Sequence, residues 1–134
     1  MLLIARHGQT NWNLARRWQG GSDIPLNAMG EKQAKALAGH LRDALCKPRR
    51  LICSPLSRAK TTAQILGATL SLDIEVDDRL MELDLGEWEG KFEADLRAED
   101  SDFYDRWHSG GFLLPPPGGE SLKDVADRLK PLVA

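Results

Sequence analysis

Apolar and polar positions alternate along the chain in blocks that predict strands followed by helices. An apolar run at residues 1–5 ends in a charged, glycine-containing turn, which is typical of a buried strand. From Asn27, a residue type favoured at helix N-caps, apolar side chains recur every three or four positions as far as Leu45. That spacing predicts a long amphipathic helix.

The same alternation repeats further along the chain. Leu51–Cys53 is a second short apolar run, residues 56–70 carry a helical pattern, and Ile74–Val76 predicts a third strand. Strands that alternate with helices in this way are typical of an α/β fold, in which a mainly parallel sheet is flanked by helices.

The last third of the chain is less regular. It predicts two short helices, at residues 91–99 and 101–108, followed by a proline-stiffened loop at 110–119. Ser121 and Asp124 have the spacing of a capping box and open a final helix. Because neither a linker nor an internal repeat interrupts the pattern, we predict a single domain over residues 1–134.

The composition is that of an ordinary folded protein, with 42% hydrophobic and 28% charged residues. It excludes disordered chains, collagen-like chains and disulfide scaffolds. Eighteen Lys and Arg against twenty Asp and Glu leave a formal net charge of −2, which is too even for a general nucleic-acid or anionic-membrane surface. We therefore expect no nucleic acid and no membrane among its partners, and any anion site must be local.

The apolar run at residues 1–5 is far shorter than the core of a signal peptide or a membrane span, so we expect a cytoplasmic protein. Cys46 and Cys53 form neither a C-x-x-C pair nor a zinc-binding spacing. Two thiols are also too few for a secreted disulfide framework, which favours buried free thiols.

Two of the predicted strands end beside side chains that suit a phosphate site. The first strand is followed by Arg6 and His7, and the second by a segment that contains Arg58. Ligands of doubly wound sheets collect outside the carboxyl ends of the strands, so these side chains could meet in one crevice. Arginine offers a fork of donors that matches phosphate oxygens, and a neutral imidazole can attack phosphorus. The residues alone therefore predict an anion site that contains a nucleophile.

The segment from Leu3 to Thr10, which contains Arg6-His7-Gly8, resembles the signature of the histidine phosphatase superfamily, in its phosphoglycerate mutase-like branch. The resemblance continues in the family's order over nearly the whole chain, in the segments 23–26, 54–59, 62–63, 82–90 and 118–121. One such tripeptide is weak evidence, but several separated motifs in the same order are specific.

The resemblance implies a role for each matching position. By this resemblance, His7 is the residue that becomes phosphorylated, and Arg6 and Arg58 bind the phosphoryl oxygens. Asn13 matches a polar residue of the phosphate pocket, and Glu82 matches the proton donor and acceptor. Gln19 and Gly20 lie in the loop that lines the substrate side in relatives. Neither a metal nor an organic cofactor is implied. Glu87 and Glu89, which share the segment of Glu82, are interpreted as surface or structural side chains.

One feature of the family is absent from this sequence. Relatives carry a second pocket histidine on a later strand, which lies inside the sheet beside the strand of the R-H-G histidine. Without that strand, we expect a C-terminally incomplete domain whose remaining strands have unpaired backbone groups. Three outcomes are open: the sheet re-pairs, another copy of the chain fills the gap in a homo-oligomer, or the domain is weakly stable. Loss of one preorganised donor would also cost about 10²–10³ in rate.

The favoured function is an enzyme that hydrolyses small phosphorylated metabolites through a phosphohistidine. Hydrolysis is preferred to phosphoglycerate mutase-type transfer because the interval from Arg58 to Glu82 is short, as in small broad-specificity phosphatases or the phosphatases of cobalamin assembly. The mutase reaction and a catalytically inactive phosphate-binding or regulatory module remain as alternatives. A nucleotide-binding Rossmann domain is disfavoured because no G-x-G-x-x-G follows the first strand.

Overall fold

The computed structural model describes residues 2–45, 47–111 and 113–133 and shows an α/β fold. The chain forms two compact units. The first unit comprises the chain up to Asn11 together with Asp23–Met81, and the second comprises Trp12–Ser22 and the chain from Glu82 onward. In chain order the elements are α1 (Asn11–Leu14), α2 (Ala28–Asp43), β1 (Leu51–Cys53), α3 (Ser57–Leu70), β2 (Ile74–Val76), two 3₁₀ turns (Asp78–Leu80 and Gly86–Trp88), α4 (Glu93–Glu99), α5 (Ser101–His108) and α6 (Leu122–Val133).

The first unit contains a β-α-β arrangement. β1 and β2 are parallel, with Leu51 opposite Ile74, and α3 forms the crossover between them. α2 packs on α3 around the buried residues Ala34, Ala38 and Leu66. Burial of a leucine side chain such as that of Leu66 contributes about 1.5–3 kcal/mol. These elements confirm the prediction from the hydrophobic spacing.

Local signals fix the ends of these helices. The side chain of Asn27 accepts a hydrogen bond from the Gly30 N–H at 2.9 Å, so Asn27 is the N-cap of α2 as predicted. α3 ends at Leu70, and its C-cap residue Ser71 has a φ of 56° in the left-handed region and an N–H that donates to the carbonyl of Gly67.

The predicted first strand is wrong for residues 2–5, which have no regular secondary structure. A strand exists only when a neighbour completes its hydrogen bonds, and β1 and β2 pair only with each other within the described residues. The exposed fractions of Leu2, Leu3 and Ile4 are 66%, 49% and 89%. The apolar run favours an extended, buried segment, but it carries no information on whether a partner strand is present. Re-pairing of the sheet, the first of the three outcomes expected for an incomplete domain, is not seen within the described residues.

Aromatic side chains form the core of the second unit. Leu83, Leu85, Leu96 and the rings of Trp88 and Tyr104 are buried together. The ring centroids of Trp88 and Trp107 lie 5.0 Å apart at 78°, an edge-to-face arrangement that aromatic pairs favour. α4 begins two positions later than predicted and α5 has the predicted bounds.

The start of α6 confirms the predicted capping box. The N–H of Ser121 donates to the Asp124 carboxylate at 2.9 Å, and the N–H of Asp124 donates to Ser121 Oγ at 3.2 Å. Two otherwise unpaired donors of the first turn are thereby satisfied.

Backbone contacts join the two motif segments of the second unit, 82–90 and 118–121. The N–H of Glu87 donates to the Pro117 carbonyl at 2.9 Å, and the N–H of Glu120 donates to the Asp84 carbonyl at 2.9 Å. Gly86 has a φ of +53°, and a Cβ built there would overlap the backbone of Pro117. Glycine is therefore required for this close approach.

Candidate functional site

The first unit brings together two of the predicted phosphate-binding segments. The N–H of Gly8 donates to Thr62 Oγ1 at 3.1 Å, and Thr62 Oγ1 donates to the Arg58 carbonyl at 2.7 Å. Thr62 is buried. One hydroxyl therefore ties the turn that carries His7 to the first turn of α3, which carries Arg58.

Close backbone packing also fixes the turn after His7. A Cβ on Gly8 would overlap the carbonyl of Gly30, and a Cβ on Gly30 would overlap the backbone of Gln9. The N–H of Asn27 donates to the Gln9 carbonyl at 2.9 Å, and the N–H of Gln9 donates to Gln33 Oε1 at 2.8 Å. The start of α2 thus holds the turn through backbone contacts that tolerate only glycine at two positions.

The half-buried imidazole of His7 has a defined hydrogen bond. Its Nδ1 lies 2.6 Å from the carbonyl oxygen of Gly8. A carbonyl oxygen only accepts, so this contact assigns the proton of the neutral ring to Nδ1. The lone pair then resides on Nε2, and it is this lone pair that attack on an electrophile requires.

The two arginines of the first unit differ in burial. Arg6 is exposed, whereas Arg58 has an exposed fraction of only 1%. Arg58 lies in the first turn of α3, where unpaired backbone N–H groups favour anions. A cation withdrawn from water interacts more strongly with an anion than an exposed cation does.

A carboxylate completes the N-terminal turn of α3. The N–H of Ser57 donates to Asp23 Oδ1 at 2.7 Å. Hydrogen bonding to Ser57 lowers the pKa of the Asp23 carboxyl, and the charge of Arg58 lowers it further.

Glu82 lies in the second unit and is exposed. Its carboxylate accepts a hydrogen bond from the N–H of Leu83 at 2.9 Å. Its backbone carbonyl accepts from Arg128 Nη2 at 3.3 Å, and Arg128 forms an ion pair with Glu120 at 2.7 Å. No local signal in the sequence marks the contact of Arg128 with Glu82, because the two residues are 46 positions apart.

The other predicted residues also belong to the second unit. Asn13 lies in α1, while Gln19 and Gly20 are buried in the loop that follows. The carboxylate of Glu89 accepts hydrogen bonds from two groups of this loop, the N–H of Gly21 at 2.7 Å and the hydroxyl of Ser22 at 2.6 Å. These contacts agree with the structural one of the two roles expected for Glu89, but nothing in the sequence marks its partners in the loop.

The predicted site residues are thus divided between the units. Arg6, His7 and Arg58 belong to the first, and the second contains Asn13, Gln19, Gly20 and Glu82. The structure brings the segments of His7 and Arg58 together within the first unit. The roles of the individual residues stay predictions.

Cys53 is a buried free thiol, as expected, and burial raises its pKa. Cys46 lies outside the described residues. Over the described ranges, no three His, Cys, Asp or Glu side chains are grouped to hold a metal ion. In the same part of the chain, no helix is long and apolar enough to cross a membrane. The cytoplasmic location stays a prediction.

Comparisons with known proteins agree with the resemblance drawn from the motifs. A family model described as the histidine phosphatase superfamily (branch 1) matches residues 2–134. A glucosyl-3-phosphoglycerate phosphatase of Mycobacterium tuberculosis is 40% identical over 133 residues, which cover 99% of this chain and 58% of that protein. A probable phosphoglycerate mutase of Salmonella paratyphi C is 37% identical over 131 residues, covering 98% of this chain and 60% of that protein.

A solved structure is similar as well. The mycobacterial glucosyl-3-phosphoglycerate phosphatase in complex with VO3 has a TM-score of 0.87 and 40% identity, covering 95% of this chain and 62% of that chain. These matches confirm the predicted α/β, phosphoglycerate mutase-like fold. The chain spans about 60% of the length of these relatives.

Proposed function

Since the chain belongs to the histidine phosphatase superfamily (branch 1), we propose that it hydrolyses small phosphomonoesters through a phosphohistidine on His7. The observation that carries the proposal is the pair of hydrogen bonds through Thr62, which joins the turn of His7 to the helix turn of Arg58. A nucleophile and a buried cation on joined backbone segments are the parts that phosphoryl transfer needs.

In the first step, the lone pair of His7 Nε2 attacks phosphorus. A P–N bond forms while the P–O bond to the leaving group breaks, and the alkoxide that departs takes a proton. The family motif assigns this proton to the carboxylic acid of Glu82. General acid catalysis of this kind contributes a factor of about 10²–10⁴.

In the second step, water attacks phosphorus and the P–N bond breaks. The Glu82 carboxylate accepts the proton of the attacking water, inorganic phosphate leaves, and His7 returns to its neutral form. We assign the phosphoryl oxygens to Arg6 and Arg58 in both steps, because guanidinium forks match their geometry and stabilise their charge. These residues require no metal or organic cofactor for either step.

The first test is the release of inorganic phosphate from para-nitrophenyl phosphate. We expect turnover by the wild-type chain and none above background for His7→Ala, which removes the nucleophile. His40→Ala is the matched control, because His40 is an exposed histidine in α2 and should leave the rate unchanged. Rapid quenching in base with a radiolabelled substrate should trap a phosphoryl group on the wild-type chain and none on His7→Ala.

Other products would support other functions. With phosphoglycerate as the substrate in place of para-nitrophenyl phosphate, isomerisation without free phosphate would support the mutase, which transfers the phosphoryl group to a second hydroxyl instead of water. Binding of a phosphate ester without turnover would support the inactive module. Equal turnover by the wild-type chain and His7→Ala would overturn the phosphohistidine mechanism.

A further inference from the structure

A carboxylate of the second unit, that of Glu89, bonds to the loop of residues 19–22, here called the Gln19 loop. We propose that Glu89 is a positioning residue that holds this loop in its binding conformation and thereby sets the affinity for the phosphomonoester. The functional part of this inference rests on the proposed function, because the Gln19 loop is assigned to the substrate side by the family motif.

Both oxygens of the Glu89 carboxylate accept hydrogen bonds from the loop. Oε1 accepts from the N–H of Gly21 at 2.7 Å, and Oε2 accepts from the hydroxyl of Ser22 at 2.6 Å. A hydrogen bond to an ionised acceptor is roughly twice as strong as one between neutral groups. The same residue therefore fixes two consecutive positions of the loop, one through the backbone and one through a side chain.

The backbone of Gly20 is shaped to admit this carboxylate. Its φ of +52° lies in the left-handed region, and a Cβ there would overlap Glu89 Oε1. Only glycine allows a carboxylate oxygen so close to the chain. Gly20 is one of the two loop positions that the motif assigns to substrate binding, so the carboxylate lies directly against that part of the loop.

Backbone hydrogen bonds join the segment that contains Glu89 to the residue that precedes the Gln19 loop. Glu89 follows Trp88, which is buried in the aromatic core. The N–H of Gly90 donates to the Trp18 carbonyl at 2.8 Å, and the N–H of Trp18 donates to the Lys91 carbonyl at 3.0 Å. Trp18 immediately precedes the Gln19 loop, so these hydrogen bonds hold the start of the loop next to the backbone that carries Glu89.

The Gln19 loop is not held by regular secondary structure. Its internal backbone bond is a turn from the N–H of Ser22 to the Gln19 carbonyl, at 2.9 Å. Without the carboxylate, the loop would sample more conformations, and substrate binding would then carry the entropy cost of ordering it. The expected loss therefore falls on KM and leaves the chemical step nearly unchanged.

The kinetic test compares Glu89→Ala with Glu89→Gln and Glu87→Ala in the full chain. We expect Glu89→Ala to raise KM for para-nitrophenyl phosphate by about 10-fold to 100-fold, the loss of one or two charge-assisted bonds. The value of kcat should change less than about threefold. Glu89→Gln should restore most of the affinity, because its carbonyl can accept from Gly21 and its amide can donate to Ser22. Glu87 is exposed in the same short segment, so Glu87→Ala should behave as wild type.

A double-mutant cycle tests whether Glu89 acts through the loop. Gln19→Ala and Glu89→Ala should be non-additive in KM, because the second substitution finds an already displaced loop. Fully additive effects, or a loss confined to kcat, would overturn the positioning role. If Glu89→Ala does not fold, Ser22→Ala removes one contact and should give a smaller rise in KM.

A second measurement does not depend on turnover. Amide exchange of Gly21, followed by nuclear magnetic resonance, should be faster in Glu89→Ala and close to wild type in Glu89→Gln and Glu87→Ala. Unchanged exchange of Gly21 in Glu89→Ala would overturn the inference. A wild-type chain without turnover would reject the proposed function, and the exchange result would still decide whether Glu89 holds the loop.

Discussion

The two units of the molecule achieve their internal order by different means. The first unit has an aliphatic core of small residues and leucines under a parallel β-α-β arrangement. The second unit has an aromatic core, and its described residues form helices, turns and an isolated bridge between Arg17 and Phe92. Periodic packing defines the first unit, whereas large rings and close backbone contacts define the second.

The difference determines how well each core can be predicted from the spacing of apolar residues in the sequence. In the first unit, every third or fourth position of α2 and α3 is apolar, and those positions meet in the core. In the second unit, one side chain contacts several others: the ring of Trp88 lies 5.0–5.8 Å from the rings of Phe103, Tyr104 and Trp107. Such contacts depend on ring geometry more than on sequence spacing.

The largest expected effect is in the aromatic core. Trp88→Ala should lower the free energy of unfolding by about 3–5 kcal/mol, because it leaves a cavity and removes three ring contacts. Leu66→Ala in the aliphatic core should cost about 2–5 kcal/mol. Chemical denaturation followed by circular dichroism gives both values.

Trp12→Ala is the matched control for the aromatic prediction. The guanidinium of Arg17 lies over the Trp12 ring, 5.3 Å from the ring centroid, and Trp12 is outside the aromatic core. Its loss should cost about 1 kcal/mol. If Trp88→Ala costs no more than Trp12→Ala, the aromatic core does not stabilise the second unit as described.

A smaller effect is expected where the first unit joins its two motif segments. Thr62→Val keeps the shape of the side chain but leaves the Gly8 N–H and the Arg58 carbonyl without their hydroxyl partner. An unsatisfied buried group costs about 1–3 kcal/mol, so thermal denaturation should show a clear loss of stability. Thr62→Ser retains the hydroxyl and should remain closer to wild type. Equal stability of the two variants would contradict the role of the hydroxyl.

The smallest effect is a pH dependence that both units share. Ser57 lowers the pKa of Asp23 in the first unit, and Ser121 lowers the pKa of Asp124 in the second. Because each folded-state pKa lies below the ordinary value of about 3.8, each carboxylate stabilises the fold above that pH. This stabilisation is lost as the pH falls through the lowered pKa.

Asp23→Asn and Asp124→Asn should therefore melt below wild type at pH 6, by a margin that shrinks as the pH falls below about 3.8. Melting temperatures measured across that range test both carboxylates. Asp43→Asn is a control, because Asp43 forms an exposed ion pair with Arg42. Salt screens such a pair, so the difference in melting temperature between Asp43→Asn and wild type should depend less on pH after salt is added. A margin independent of pH would contradict the assignment.

The sequence predicts local structure well and non-local pairing poorly. Asn27 and the Ser121–Asp124 pair are signals within four positions, and both caps form as predicted. The predicted strand at residues 1–5 fails because its partner cannot be identified from the run itself. In the candidate site, the motifs identify His7 and Arg58 as candidates, and the structure ties their backbone segments together.

The supporting residues of the site are harder to predict. Thr62 bonds to a residue 54 positions away, and Glu89 bonds to one 68 positions away. An isolated threonine or glutamate carries no sign of such a partner, because the contact exists only after the chain has folded. Arg128 is a third example, since its bond to the Glu82 carbonyl spans 46 positions.

The exposed stretch Leu2, Leu3 and Ile4 has a practical consequence for handling the protein. These side chains are apolar, and the described residues supply no ladder partner for their backbone. Such a segment is a template for intermolecular β-pairing, which leads to aggregation. Aggregation of the chain of residues 1–134 should therefore accelerate steeply with its concentration, and dilute preparations should stay dispersed longest.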